Sequence, residues 1–164
     1  MTSSLQITRH GRECLDDLEP LWKALQRTHI EVGAELGKTR TEEEAWRLRR
    51  ADYNEWLDDP ATFVLLATLD DRPVGYALVR GYRRSCSFVT GEDTVELKTL
   101  SVLPEYRSRG IGAALMEDLF ARCRAMGVTQ MAIGVVATNE RAVKFYERFG
   151  FQCRYVTMWG ELPG

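Results

Sequence analysis

The period of apolar positions changes several times along the chain, and each change marks an element. Leu5 to His10 alternates weakly and predicts a first strand. Two helices are expected next, Leu15 to Thr28 and Thr41 to Asp58, with Gly33 and Gly37 marking the break between them. The second opens on Thr41-Glu42-Glu43-Glu44, a capping box with acids at the positive helix end. Thr62 to Thr68 and Val74 to Arg80 are β-rich runs on either side of Asp70-Asp71-Arg72-Pro73, which is turn chemistry, so a hairpin is predicted. Thr94 to Val102 reads as another strand, ended by Pro104. From Arg109 to Met126 the apolar positions Ile111, Leu115, Leu119 and Met126 recur at near-helical spacing, and Gly127 supplies a stop. Met131 to Ala137 is a continuous apolar run that suits a strand buried on both faces. Glu140 to Phe149 is a short helix closed by Gly150, and Phe151 to Trp159 predicts a last strand. The expected order is β-α-α-β-β-β-α-β-α-β, an α/β fold with a mixed central sheet flanked by helices. No repeat, low-complexity tract or linker divides it, so residues 1–164 are expected to form a single domain.

Composition narrows the classes. A chain of 164 residues buries a sizeable core without disulfide or metal staples. Ala61 to Leu69 is too short to span a bilayer, which takes about 20 apolar residues. Met1 to Cys14 lacks the apolar centre of a secretory signal, so a cytoplasmic location is expected. Cys14, Cys86, Cys123 and Cys153 are scattered, and the only histidines are His10 and His29, so no metal site is expected. In that compartment the cysteines are expected as buried thiols. A net charge of −2 gives no field for nucleic acid or an anionic membrane, and neither is expected as a partner. Acids outnumber bases in the first half and bases outnumber acids in the second, which makes the second half the better host for an anion.

That half contains Arg107-Ser108-Arg109-Gly110-Ile111-Gly112, a short loop between a predicted strand and a predicted helix. The first N–H groups of a helix have no internal partner and carry partial positive charge, so they point at an anion placed there. Gly110 and Gly112 remove Cβ atoms that would hold phosphates away, while Arg107 and Arg109 add charge. The combination suits a pyrophosphate. Gly-x-x-x-x-Gly-Lys-Ser/Thr is absent, which excludes a P-loop. A dinucleotide fingerprint needs a third Gly or Ala where Leu115 stands, and an acid about 20 positions on, which Met131 to Ala137 does not supply. A redox site for NAD(P) is thereby reduced to a minor reading.

The loop resembles that of the GNAT superfamily of N-acetyltransferases, Arg/Gln-x-x-Gly-x-Gly/Ala, at every position from Arg107 to Gly112. The resemblance extends to Glu96-Leu97-x-x-Leu100-x-Val102 before the loop and to Asn139-x-x-Ala142-x-x-Phe145-Tyr146-x-x-x-Gly150-Phe151 after it. The hairpin strand with Val74-Gly75-Tyr76-Ala77 is similar in a less specific way. Three pieces in family order and spacing, over residues 95 to 152, imply a GNAT-like fold and an acetyl group carried from acetyl-CoA to a primary amine of a small molecule or peptide.

The resemblance assigns roles residue by residue. Glu96 matches the carboxylate that accepts the amine's proton through water, and Tyr146 the phenol that returns a proton to the departing thiolate. Main-chain groups of Leu100, Ser101 and Val102 would bind the donor's amide arm and polarise the thioester carbonyl. Arg107, Ser108, Arg109, Gly110, Ile111, Gly112 and Ala113 would hold the pyrophosphate, with Asn139 and Tyr146 also against the cofactor. Each has a plainer alternative. Glu96 and Lys98 are two apart on one strand face and suit an ion pair. Tyr146 lies at helical spacing with Ala142, Val143 and Phe149, a pattern of core packing. Asn139 is a good helix N-cap.

The acceptor side is left to the first two helices, where Trp22, His29, Trp46, Tyr53 and Trp56 lie among many acids. Aromatic faces with carboxylates suit an ammonium group, and core packing accounts for the same residues. Two functions from different classes follow: an N-acetyltransferase, or a non-catalytic acyl-CoA sensor that keeps the phosphate loop. A homodimer is in keeping with the apolar end, Tyr155 to Trp159.

Overall fold

The computed structural model describes residues 4–33, 37–82, 85–88 and 93–164. Five strands form one sheet in the order β1-β2-β3-β4-β5: β1 (Leu5–His10), β2 (Phe63–Leu69), β3 (Arg72–Gly81), β4 (Thr94–Val102) and β5 (Gln130–Ile133). The first four are antiparallel neighbours, and β5 runs parallel to β4. The helices are α1 (Leu15–Glu31), α2 (Glu42–Trp56), α3 (Ile111–Ala125) and α4 (Glu140–Glu147).

Alternation along the strands sorts side chains onto two faces, each covered by helices. Leu15, Leu18 and Leu21 of α1 and Trp46 and Tyr53 of α2 pack with Val64, Leu66, Tyr76 and Leu78. On the other face Ile111, Leu115, Met116 and Leu119 of α3 pack with Phe63, Leu65, Ala77, Val79, Val95 and Leu97. Phe145 and Tyr146 of α4, with Phe149 just past its end, close the second layer beside Phe120. The capping box at α2 forms as read: Thr41 Oγ1 accepts the Glu44 N–H, and Glu44 accepts the N–H of Thr41.

The hairpin turn is shorter than the sequence suggests. Asp70 and Asp71 both take positive φ, +48° and +62°, the tight two-residue turn whose twist matches its strands, so Arg72 and Pro73 already belong to β3. Met126, the last of the helically spaced apolar positions, is the C-cap of α3 and is exposed.

Two further expectations change. The parallel strand is Gln130–Ile133, not Met131 to Ala137, because its pairing with β4 ends at Leu97 opposite Ile133. Phe151 to Trp159 forms no strand. Phe151 docks against Phe120 and Tyr146, but Tyr155, Val156, Met158 and Trp159 stand in solvent. A β-prone run becomes a strand only where an edge supplies hydrogen bonds, and this one meets none among the described residues. Cys14 and Cys123 are the buried thiols expected, with burial pushing Cys14 up to about 12, whereas Cys86 and Cys153 are exposed. No described helix is long and apolar enough to cross a membrane.

Candidate active site

The site begins with a single extra residue in β4. Gly75 faces Val102 and Leu78 faces Thr99, yet Val79 faces Leu97, so Lys98 is a bulge with no opposite number on β3. The apolar spacing Leu97, Leu100, Val102 is its trace in the sequence. The β4–β5 pairing ends at Leu97, the residue before the bulge. From Lys98 to Val102 the edge of β4 on that side has no strand partner among the described residues. This free edge contains Leu100, Ser101 and Val102, whose side chains have structural positions. Leu100 and Val102 pack on the α3 side, and Ser101 donates to the Leu21 carbonyl of α1 at 2.8 Å.

The free edge leads through a turn at Pro104–Tyr106 into the glycine loop and α3. Ser108 and Gly110 both have positive φ, +61° and +80°, and Gly110 is the N-cap of α3. Left-handed residues at alternate positions curl successive N–H groups toward one side, a concavity that suits an anion. The first α3 bond is from the Ala114 N–H to the Gly110 carbonyl. Among the described residues no main-chain acceptor pairs the N–H groups of Ser108, Arg109, Gly110, Ile111, Gly112 or Ala113. Six donors are thus left at a helix N-terminus.

Two residues there make contacts that the sequence does not announce. Arg107 turns inward: its Nε donates to the Val102 carbonyl at 3.0 Å and its guanidinium to Thr28 Oγ1 at 2.9 Å. Burial, then repulsion from Arg141, lowers its pKa from the usual arginine value. It braces the loop against β4 and α1. A Cβ on Gly112 would lie 3.4 Å from the Phe145 ring, so this glycine lets α4 approach α3. Arg109 lies over the Tyr106 ring at 5.3 Å. Arg141, which periodicity does not single out, reaches the loop by donating to Ser108 Oγ at 3.2 Å.

On α4, Asn139 Oδ1 accepts the Ala142 N–H at 3.1 Å and is the N-cap. Tyr146 packs edge-on to Phe145 and Phe151, and burial pushes its phenol above the ordinary tyrosine range. It therefore stays protonated at neutral pH.

Glu96 lies on the opposite face of the sheet, and both of its oxygens are engaged. Arg80 Nε donates to one at 2.9 Å and Lys98 Nζ to the other at 3.3 Å. The Lys98 pair was legible in the sequence, but Arg80 was not, since it meets Glu96 only through the shifted register. Of the aromatic residues on the helices, Trp46 and Tyr53 are core. Tyr53 shares hydrogen bonds with Tyr76 at 3.0 Å and Thr99 at 2.5 Å, beneath the half-buried Trp22 and Trp56. His29 is pushed below the ordinary histidine pKa by burial and by Arg49.

The sequence pattern of the acetyltransferase (GNAT) family matches residues 19–151. The chain belongs to the GNAT acetyltransferase family. An uncharacterized N-acetyltransferase of Mycobacterium tuberculosis (strain ATCC 25618 / H37Rv) is 39% identical over 106 residues, covering 64% of this chain and 62% of that relative. This GNAT chain thus matches less than two thirds of the length of the relative. Among solved structures, the PaiA N-acetyltransferase of Thermoplasma acidophilum in complex with coenzyme A superposes with a TM-score of 0.76 at 17% identity, over 94% of this chain and 93% of that one. The aminoglycoside N-acetyltransferase AAC(6')-Iy in complex with CoA gives 0.73 at 18% identity, over 99% and 97%. At these identities the likeness is one of fold, and it agrees with the α/β sheet built up above.

Proposed function

We propose that this protein is an acetyl-CoA-dependent N-acetyltransferase that acts on a primary amine of a small molecule or peptide. The observation that carries the reading is the β4 edge from Lys98 to Val102, without a strand partner among the described residues, leading through the Pro104–Tyr106 turn to six unpaired N–H groups at Ser108 to Ala113. The edge offers a ladder for an amide-bearing arm, and the loop offers donors for a pyrophosphate. Coenzyme A, which accompanies both solved relatives, carries those two groups in that order.

The remaining residues supply proton traffic. An alkylammonium has a pKa of about 10 and must lose its proton before attacking. Glu96, facing the α2 side, accepts that proton through water. The amine nitrogen bonds to the acetyl carbon, and main-chain N–H groups of the free edge stabilise the charge on the thioester oxygen. The carbon–sulfur bond then breaks, and Tyr146 gives its proton to the thiolate. Asn139 positions the helix that carries it. A cytoplasmic setting and a homodimer belong to the same reading, the latter supported by the exposed Tyr155, Val156, Met158 and Trp159.

The test is acetylation of a panel of amines and peptides, read by mass spectrometry together with thiol release. Turnover is expected with some member, slowed about 10²-fold in Tyr146→Phe with coenzyme A affinity unchanged. One observation favours a second reading, a non-catalytic acyl-CoA sensor: accepting a proton at Glu96 forfeits charge-assisted bonds to Arg80 and Lys98. For a sensor, acetyl-CoA raises the melting temperature and no panel member is acetylated. Greater stabilisation by NAD(P) than by coenzyme A would instead revive the redox reading.

A further inference from the structure

Three cations converge on one indole. The guanidinium carbon of Arg80 lies 4.2 Å from the Trp56 ring centroid, that of Arg49 5.6 Å, and Lys98 Nζ 5.8 Å. They come from β3, α2 and β4, and Arg49 is held on the same helix face as Trp56, two turns earlier. Arg49 also stands 5.6 Å from the Tyr53 ring and 5.9 Å from Trp22.

Like charges so placed repel unless acids intervene, and among the described residues two carboxylates, Glu96 and Asp52, make ion pairs with the three cations. Glu96 is shared between Arg80 and Lys98. The carboxylate contact of Arg49 is Asp52 at 3.8 Å, a long one to a half-exposed side chain. Asp59 lines the adjoining cleft and accepts the Ala61 N–H, but among the described residues it makes no ion pair with any of the three cations. His29, kept neutral by burial and by Arg49, adds no charge at neutral pH and no compensation. In addition, Arg49 Nε is buried with no hydrogen-bond partner. A buried donor left unpaired is costly, so this guanidinium is short of acceptors. A cleft of about 500 Å³ lined by Asp59, Arg80, Gly81, Tyr82 and Glu96 opens beside the cluster.

We infer that the acceptor of this enzyme is an amine that also carries an anionic group, a carboxylate or phosphate, bound by Arg49 and Lys98 with Arg80 against the Trp56 indole. The inference rests on the acetyltransferase reading and names the substrate class for it. Lys98 ties the two together, because it is both a member of the cluster and the bulge residue at which the free β4 edge begins. An anion held there puts its attached amine next to that edge. The same charges disfavour a polycationic acceptor.

The experiment compares matched acceptors: the twenty amino acids against their amides, and phosphoethanolamine against ethanolamine. The expected result is a kcat/KM at least tenfold higher for the anionic member of the best pair. That preference collapses in Arg49→Gln and Lys98→Gln and survives in Arg49→Lys. Which pair shows it separates carboxylate from phosphate. Equal or better use of the uncharged members throughout overturns the inference, as does a preference that persists in both Gln variants. Tryptophan fluorescence titrated with the same compounds decides the matter without turnover. A saturable change with the anionic member alone, lost in Arg49→Gln, supports the site, and no difference within any pair overturns it. Thermal stabilisation by acetyl-CoA, measured separately, reports on the donor reading, so failure of one is not mistaken for failure of the other.

Discussion

His29 illustrates how one side chain ties the helices to pH. Burial first and Arg49 second hold its imidazole below the ordinary value of 6.5 in the folded protein. The folded state therefore binds that proton less readily than the unfolded chain does. The stability it contributes is fully present above about pH 6.5 and is lost as pH falls toward the lowered value. Urea midpoints are expected to drop between pH 7.5 and 5.5 in the wild type and to drop less in His29→Gln. Equal slopes in both proteins would contradict this. At Glu96 the question is chemical. Glu96→Gln keeps the shape but cannot accept a proton, so on the proposed mechanism turnover falls about 10²-fold at neutral pH. The defect should shrink toward pH 10, where the amine has already lost its proton. A deficit independent of pH would mark Glu96 as only a clamp for Arg80 and Lys98.

At the scale of elements, the junction of α3 with α4 governs where Asn139 and Tyr146 stand. A Cβ on Gly112 would already touch the Phe145 ring at 3.4 Å, which leaves little room for the further carbons of a branched side chain. A branched side chain there has to push α4 outward, at a cost of about 1–3 kcal/mol for an overpacked contact. Gly112→Val is therefore expected to weaken coenzyme A binding and to lower the melting temperature together, by calorimetry and thermal shift. Gly110 has open space around it, and its constraint is the left-handed φ of +80°. Two glycines two residues apart thus serve different physical needs, one conformational and one steric.

Across the whole molecule, the described surface is unusual at one place. Met158 is 91% exposed and Trp159 71%, with Tyr155 and Val156 beside them. Contiguous exposed side chains of this size mark a surface that associates. Sedimentation is expected to give a dimer of the 18.7 kDa chain, and Met158→Glu with Trp159→Glu to give a monomer of unchanged secondary structure. A wild-type monomer at tens of micromolar would remove the homodimer from the proposed function.

The sequence by itself determined the elements whose instructions are local. Helical period placed α1 to α4, the capping box started α2, and two aspartates turned the β2–β3 hairpin, because each depends on residues within a few positions of one another. The family motifs likewise located the glycine loop, Asn139 and Tyr146. Only the tertiary structure decided what depends on register and approach. Carried on from Gly75 opposite Val102 without a break, the β3–β4 pairing would set Arg80 against Leu97. The bulge at Lys98 moves Arg80 opposite Glu96, and the β4–β5 pairing stops just before it, at Leu97 opposite Ile133. A one-residue slip changes every later partner, and pairing energy spread over the sheet, not any local signal, fixes where it falls. The inward turn of Arg107 to Val102 and Thr28, the reach of Arg141 to Ser108 and the gathering of Arg49, Arg80 and Lys98 on Trp56 are decided in the same way. Each is a meeting of side chains from elements far apart in the chain, and that meeting exists only once the sheet and its helices have packed.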